Sequence, residues 1–397
     1  MQQPLEAYIN AIGRAVPANS APQDVTAQFM ADMLECDDRD RRRLTTLYRF
    51  TRIEKRHSVI ADYVKQRGEF TFYPNTAGME PFPTVSQRMQ LYRKEAVPLA
   101  LKAIDDCLAS YPDFDQHQIT HVITVSCTGL YAPGPDIEII EALGLPGHTQ
   151  RLAINFMGCY GAFNGLKTAS SIVRANPDAN VLLVCIELCS IHFQKKTDTE
   201  HLLANALFAD GSAAVLVQSR PRPDMALRLR SFYCDLLPEG KAEMAWHVDN
   251  YGFEMTLTSE VPTHIQRGIR QLMQRLLAQS ELTMADIGLY ALHPGGRRIL
   301  EVIEEQLGLT TNDNRYAYAI LREYGNMSSA TVLFVLQRIW ADLASGALTM
   351  PDQQPNIFSC AFGPGLTLES MITEVVMAPA EPAEAILESA SASGQFS

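Results

Sequence analysis

Val181-Leu-Leu-Val-Cys-Ile186 carries no charged or strongly polar side chain on either face. A strand that is apolar on both faces must be covered on both, which a sheet achieves with helices above and below it. Further strand-like runs are His121-Val-Ile-Thr-Val-Ser126, Leu152-Ala-Ile-Asn-Phe156, Ala213–Val217, Ile287–Leu292, Ile357–Phe362 and Leu366–Ile372. Stretches with helical spacing lie between them, at 86–109, about 160–175, 200–207, 262–279 and Met327 to about Leu343. Strands and helices alternate through both halves, so the expected class is a layered α/β fold. Leu152–Phe156 is expected as a buried strand, and Phe208-Ala-Asp-Gly211 as a turn. Arg220-Pro-Arg-Pro223 breaks the pattern and divides the chain into residues 1–220 and 221–376. Residues 377–397 are rich in Ala, Glu, Ser and Pro and read as a disordered tail.

Bulk properties exclude several function classes. With 33 Lys and Arg against 45 Asp and Glu, the formal charge is −12. That argues against general binding to nucleic acid or to an anionic membrane, while leaving room for a local basic patch. No apolar run approaches the roughly 20 residues of a membrane span. The start, MQQPLEAYINAIG, lacks the regions of a secretory signal. Eight cysteines are scattered without metal-type pairs, so the expectation is a reduced, cytoplasmic protein with no disulfide framework and no metal site.

Three polar residues occupy one kind of position, at a strand end or helix start beside glycine. Cys159 lies in INFMGCYGAFNGL, where Gly158 and Gly161 permit a tight strand-to-helix turn. A helix start offers free N–H groups and the positive end of the helix dipole, and both favour a thiolate. The structural alternative is an inert core cysteine. His293 follows the strand 287–292 and precedes Pro294-Gly-Gly296; Asn326 follows Tyr324-Gly325 and opens an apolar helix, where capping alone is the plain alternative. A cysteine and a histidine together can attack an acyl carbonyl. The densest basic stretch is Arg39-Asp-Arg-Arg-Arg43 with Arg49, Arg52, Lys55 and Arg56, either a solvated helix face or a dock for a phosphorylated substrate.

These motifs, GCYGAFNGL, LHPGGRRIL, REYGNMSSATVLFVL and AFGPGLTLE, together resemble the type III polyketide synthases of the chalcone and stilbene synthase family. The resemblance runs over about residues 5–376 with the motifs in family order. It implies a thiolase-like fold of five αβαβα layers built from two similar halves, and a homodimer. It also implies an acyltransferase without metal or organic cofactor, using CoA thioesters as substrates. Cys159 would carry the acyl group from a starter acyl-CoA. His293 and Asn326 would bind malonyl-CoA and stabilise the enolate formed on decarboxylation. Iterative extension and cyclisation to an aromatic polyketide or a pyrone would follow. Competing expectations are a ketoacyl synthase of the KAS III type, which stops after one extension on a carrier protein, and a catalytically silent thiolase-fold scaffold.

The resemblance assigns further positions. Phe208 matches an aromatic gatekeeper, and the second gate position falls on Met255, where plant enzymes have Phe. Cys127 stands where plant enzymes have Thr, with Glu187 and Ser328 as its polar partners in steering cyclisation. Cys189 and His192 match cavity-lining threonines, so His192 is expected to narrow the cavity. Ala132 matches a Met that enters the partner subunit's cavity in plant enzymes. Of three CoA-docking cations, one matches Arg43; the others fall on Thr46 and Phe50, with Arg49 and Arg52 as nearby replacements.

Overall fold

The computed structural model describes residues 5–350 and 354–377; of the tail expected at 377–397, Met377 instead ends a strand, and the remainder lies outside the described residues. The strands are β1 (Tyr8–Ala15), β2 (Ser20–Pro22), β3 (Lys55–His57), β4 (His121–Ser126), β5 (Gln150–Asn155), β6 (Val181–Leu188) and β7 (Asp210–Gln218). They continue with β8 (Met225–Leu236), β9 (Met244–Asp249), β10 (Gly252–Leu257), β11 (Ile287–Leu292), β12 (Asn356–Gly363) and β13 (Thr367–Met377). Nine of them form one sheet in the order β11-β12-β13-β8-β1-β7-β6-β4-β5, while β9–β10 and β2–β3 are separate two-stranded ribbons.

The sheet repeats one pattern of pairing. In the first half β4–β6 is parallel, and β6–β7 and β7–β1 are antiparallel. In the second half β11–β12 is parallel, and β12–β13 and β13–β8 are antiparallel. The halves join edge to edge where β1 pairs with β8.

Alternation along the strands sorts side chains into layers, because successive residues face opposite sides of a sheet. On β6, Val181, Leu183 and Cys185 pack with the helices Gly161–Ala175 and Thr331–Ala344. Leu182, Val184 and Ile186 face the other way, onto the helix Val85–Ala109. On β12, Ile357 and Ala361 join the first group, and Phe358, Cys360 and Phe362 pack against Val261–Gln279 and Arg297–Leu307. Helix, sheet, paired central helices, sheet and helix make five layers.

Three local expectations are corrected. Leu152–Phe156 is not a buried strand: β5 is a sheet edge whose residues are mostly exposed. Its apolar residues are those of an unpaired edge rather than of an interior strand. Phe208–Gly211 is not a simple turn, since β7 begins at Asp210 and Phe208 forms an isolated bridge with Asn326. Asn326 does not cap the long helix, which starts at Thr331 after a short 3₁₀ turn, Ser328–Ala330.

Candidate active site

The two central helices are approached alike. Gly158–Tyr160 is a 3₁₀ turn that leads into Gly161–Ala175, as Ser328–Ala330 leads into Thr331–Ala344. Cys159 lies in the first turn and Asn326 just before the second. Both 3₁₀ turns pack together, so two helix N-termini converge on one place. The backbone there is strained: Phe156 has φ +60° and Ser328 +48°, a region that L side chains seldom adopt. Gly158, at φ +79°, could carry no side chain, because a Cβ would lie 2.4 Å from Pro364 Cδ. Thus the turn at Cys159 is seated on the Gly363-Pro364-Gly365 loop between β12 and β13.

Asn326 has a fixed orientation. Its Oδ1 accepts the Ser328 N–H at 2.9 Å, and its Nδ2 donates to Gly295 O at 3.3 Å and faces Cys159 Sγ at 3.9 Å. His293 is delivered by β11 and held through its backbone, whose N–H donates to Cys360 O at 2.9 Å. Its ring is buried, and neither nitrogen has a partner among the described residues. An unpaired buried polar group is costly unless something else satisfies it, so the free ring nitrogens point to a ligand.

Burial sets the protonation of this pair. Desolvation pushes the Cys159 thiol up to about 12, over the opposing influence of Ser328, Asn326 and its own N–H. Desolvation also pushes His293 down to about 3. Burial thus disfavours charge on both groups and opposes the thiolate that the helix start favours.

Cys159, His293, Asn326, Ser328, Cys127 and Gly295 line one apolar cavity of about 40 Å³. A second cavity of about 50 Å³ lies beside it, bounded by Met30, Arg56, Tyr63, His192 and Phe253. Cys189, Phe208, Trp246 and Met255 line both, forming the wall between them. The two gate positions, Phe208 and Met255, thus stand where one chamber meets the next.

The polar cluster at the end of β6 departs from expectation. Glu187 is fully buried and accepts from the Cys127 N–H at 3.0 Å, Thr128 Oγ1 at 2.9 Å and Ser329 Oγ. Glu187 thus meets Cys127 through the backbone, and the serine of the cluster is Ser329; Ser328, expected as a partner of Cys127, bears on Cys159 instead. Successive residues of a 3₁₀ turn point about 120° apart, so one step along the chain changes the neighbour. Burial raises Glu187 to about 6. The Cys127 sulfur does not meet this carboxylate; it accepts the Gly158 N–H at 2.9 Å, next to Cys159. Thr128 and Ser329 were not singled out from sequence, although they adjoin residues that were.

The remaining positions scatter. His192 borders the second cavity and not the Cys159 chamber, so it does not narrow that chamber. Its ring is pinned at both nitrogens, by Thr128 O and the Phe253 N–H. Ala132 is exposed and lines neither cavity. Arg43, Arg49 and Arg52 are all exposed. Arg43 donates to Thr199 Oγ1 at 3.0 Å and borders a surface groove with Thr46 and Phe50. Arg52 borders another groove with Arg297, Arg315 and Arg322, three cations not foreseen as a group. Among the described residues no cluster of His, Cys, Asp and Glu is placed to hold a metal, and no helix is long and apolar enough to cross a membrane.

Fold and site together define a thiolase-like protein with a buried cysteine, histidine and asparagine around one cavity at the junction of two halves. The family models for the N-terminal and C-terminal domains of chalcone and stilbene synthases match residues 3–221 and 228–377, and the chain belongs to that family. The α-pyrone synthesis polyketide synthase-like Pks18 of Mycobacterium tuberculosis is 30% identical over 375 residues, covering 93% of this chain and 91% of that protein. Two solved structures, each 27% identical and covering 94% of this chain and all of theirs, superpose closely. The C-terminal type III polyketide synthase domain of Steely1 from Dictyostelium does so with a TM-score of 0.84, and PKS-I of the brown alga Ectocarpus siliculosus with 0.86. The chain is accordingly a type III polyketide synthase, an acyltransferase acting on CoA thioesters. The KAS III-type and scaffold alternatives fall away.

Proposed function

We propose that the enzyme loads an acyl group from a starter acyl-CoA onto Cys159, extends it with malonyl-CoA, and closes the chain to a pyrone or aromatic ring. The observation that carries this is His293: buried, unpaired at both nitrogens among the described residues, and sharing one cavity with Cys159 and Asn326. As Cys159 Sγ attacks the thioester carbonyl, its proton passes to His293, and the departing CoA sulfur takes it up. Transfer to the imidazole lets a thiol of high pKa react at neutral pH, because charge forms only as the bond forms. A neutral His293 N–H and Asn326 Nδ2 then donate to the thioester oxygen of malonyl-CoA. When the carboxylate leaves as carbon dioxide, negative charge gathers on that oxygen, and these donors strengthen. Such a donor is worth roughly 10²–10³ in rate. The enolate carbon attacks the acyl carbonyl, a C–C bond forms, and the Cys159 thiolate departs, ready to receive the chain again.

The cavity beside Cys159 is too small for a grown chain, so extension draws on the space beyond Phe208 and Met255. We favour a malonyl or aliphatic starter over a phenylpropanoid one. Met255 makes a softer gate than an aromatic residue, and the similar Pks18 is named for α-pyrone synthesis. Arg43, Arg49 and Arg52 are the proposed cations for CoA phosphates. The exposed edge strand β5, with Leu152 44% exposed, supports pairing of two copies into a homodimer, and the scattered free cysteines favour a reducing, cytoplasmic setting. Ala132, on the exposed surface of its own chain, would contribute to the site only through that partner. The N-terminal half at 1–220 supplies Cys159, and the half at 221–376 supplies His293 and Asn326.

The test is a competition between p-coumaroyl-CoA, a medium-chain acyl-CoA and malonyl-CoA alone, with product masses and kcat/KM for each. A kcat/KM for p-coumaroyl-CoA well above the others, with a chalcone product, overturns the starter assignment. Absence of any malonyl-CoA-dependent product overturns the mechanism.

A further inference from the structure

We propose that His192 is a positioning residue that clamps the β9–β10 hairpin over the reaction cavity, fixing the wall formed by Met255 and Trp246. This presupposes the condensing function proposed above. The hairpin stands outside the nine-stranded sheet, and an isolated two-stranded ribbon is marginal unless other elements hold it. Met255 and Trp246 face each other in its register, and both line both cavities. Whatever holds the ribbon therefore decides how the two chambers communicate.

His192 holds it from within the protein. Its Nε2 lies 2.6 Å from Thr128 O, and a carbonyl oxygen only accepts, so Nε2 carries the proton. Nδ1 is then the acceptor for the Phe253 N–H at 2.9 Å. One neutral tautomer thus ties the ribbon to the end of β4. The ring also stacks on Phe253, with centroids 4.2 Å apart and planes 9° from parallel, and meets Trp246 edge-on at 5.7 Å. The approach is close: a Cβ on Gly252 would lie 3.2 Å from His192 Nδ1.

Other contacts run in parallel. Trp246 Nε1–H donates to Cys127 O at 2.7 Å. Gln194 Nε2 reaches the carbonyls of His192, Tyr251 and Phe253. On the outer side, Glu254 is held by His201 at 2.9 Å and by Lys196. His192 and Trp246 lead inward to the same place, unlike Gln194 and Glu254. Thr128 and Cys127 hang on Glu187, and the Cys127 sulfur accepts from Gly158, the neighbour of Cys159. The clamp therefore couples the position of the gate to the turn that carries the nucleophile. A threonine at 192 is too short to span from Thr128 O to the Phe253 N–H.

The experiment compares the full-length enzyme with His192→Thr, His192→Phe and His192→Gln in a Trp340→Phe background. That leaves Trp246 as the single tryptophan. Acrylamide quenching reports its exposure, and mass spectrometry gives the share of chains released short by hydrolysis during incubation with malonyl-CoA. His192→Thr is expected to raise the quenching constant several-fold and the truncated share roughly tenfold, as for loss of about one net hydrogen bond. His192→Phe keeps the stack but neither bond, and should behave like His192→Thr. His192→Gln retains a donor and an acceptor and should return both readings toward wild type. Unchanged quenching in His192→Thr or His192→Phe overturns the clamp, as does raised quenching with an unaltered product distribution. If the parent enzyme condenses nothing, the proposed function fails, while the quenching comparison needs no turnover and still decides the clamp.

Discussion

Asn326 holds its Nδ2 3.9 Å from Cys159 Sγ, while its Oδ1 is committed to the Ser328 N–H at 2.9 Å. One Nδ2 hydrogen is taken by Gly295 O, and the other is left for chemistry. Replacing Asn326 by Asp would keep the bond to Ser328 but place a carboxylate where enolate charge develops. Asn326→Asp and Asn326→Ala should each lower malonyl-CoA decarboxylation roughly a hundredfold or more, as when an oxyanion donor is deleted. Asn326→Asp should retain the better fold, because Oδ1 remains. Acylation of Cys159 should survive better in Asn326→Ala than in His293→Ala, since His293 also takes the thiol proton. Decarboxylation at wild-type rates in the Asn326 and His293 variants would remove both residues from the mechanism.

The pH dependence of Cys159 follows from its burial. A thiol pushed up to about 12 has a thiolate fraction that grows about tenfold per pH unit throughout the range below that value. Iodoacetamide should alkylate the ligand-free enzyme at Cys159 with a log rate that climbs steadily from pH 7 to 10. Peptide mapping against Cys159→Ala identifies the site. A plateau below about pH 8 would instead mean a pre-formed thiolate–imidazolium pair. Acyl-enzyme on Cys127 or Cys189 at wild-type rates in Cys159→Ala would exclude Cys159 as the nucleophile.

Much of this site was legible from sequence because sharp turns leave local marks. Glycines flank Cys159, follow His293 and precede Asn326, and each marks a place where backbone geometry is restrictive. What the sequence hid was contact between distant segments. That Glu187 pairs with Ser329 rather than Ser328 depends on the phase of a single 3₁₀ turn. The engagement of His192 by Thr128 and Phe253 joins three segments with no shared pattern. The exposure of β5 was misjudged because an edge strand and a buried strand can share the same apolar composition. The layered order itself was readable, since runs such as Val181–Ile186 demand cover on both faces.

Glu187 makes a stability prediction with a definite sign. Its folded pKa is raised to about 6 by burial, so the folded state holds a proton that the unfolded state has lost. Stability from this group is therefore present at low pH and declines as pH rises from about 4.5 to about 6, by roughly 2 kcal/mol. Buried Asp210, also raised to about 6, acts in the same direction. Glu187→Gln should keep the bonds to Cys127 and Thr128 and flatten, though not abolish, this decline. Urea unfolding at intervals between pH 4.5 and 7 measures it. An identical pH slope in the variant would mean that Glu187 does not titrate there.

Gly158 should tolerate no side chain. Gly158→Ala meets an αL penalty of about 1–2 kcal/mol and a Cβ that would sit 2.4 Å from Pro364 Cδ. Relief requires moving either the Gly363–Gly365 loop or the turn that presents Cys159. Activity should drop further than stability, so the variant is expected to fold, with a lowered Tm, yet acylate at least tenfold more slowly, because a small misplacement of a nucleophile is costly. Wild-type acylation in a folded Gly158→Ala would show that the turn has slack.

Cys127 separates product choice from turn support. Its sulfur accepts the Gly158 N–H at 2.9 Å, and its backbone N–H donates to Glu187. Cys127→Ala leaves that Gly158 N–H without its acceptor, a loss of about 1–3 kcal/mol, and should lower Tm and slow acylation together. Cys127→Ser supplies a hydroxyl acceptor on a shorter bond and should recover part of both. Cys127→Thr also supplies an oxygen, but adds a methyl group on the chamber side of a cavity of only about 40 Å³. If this position steers cyclisation, Cys127→Thr should alter the ratio of pyrone to carbocyclic product while Cys127→Ser alters mainly the rate. Mass spectrometry of products from malonyl-CoA with a single starter gives the ratio, and progress curves give the rate. An unchanged product ratio in Cys127→Thr, with slower turnover, would confine Cys127 to supporting the nucleophile's turn.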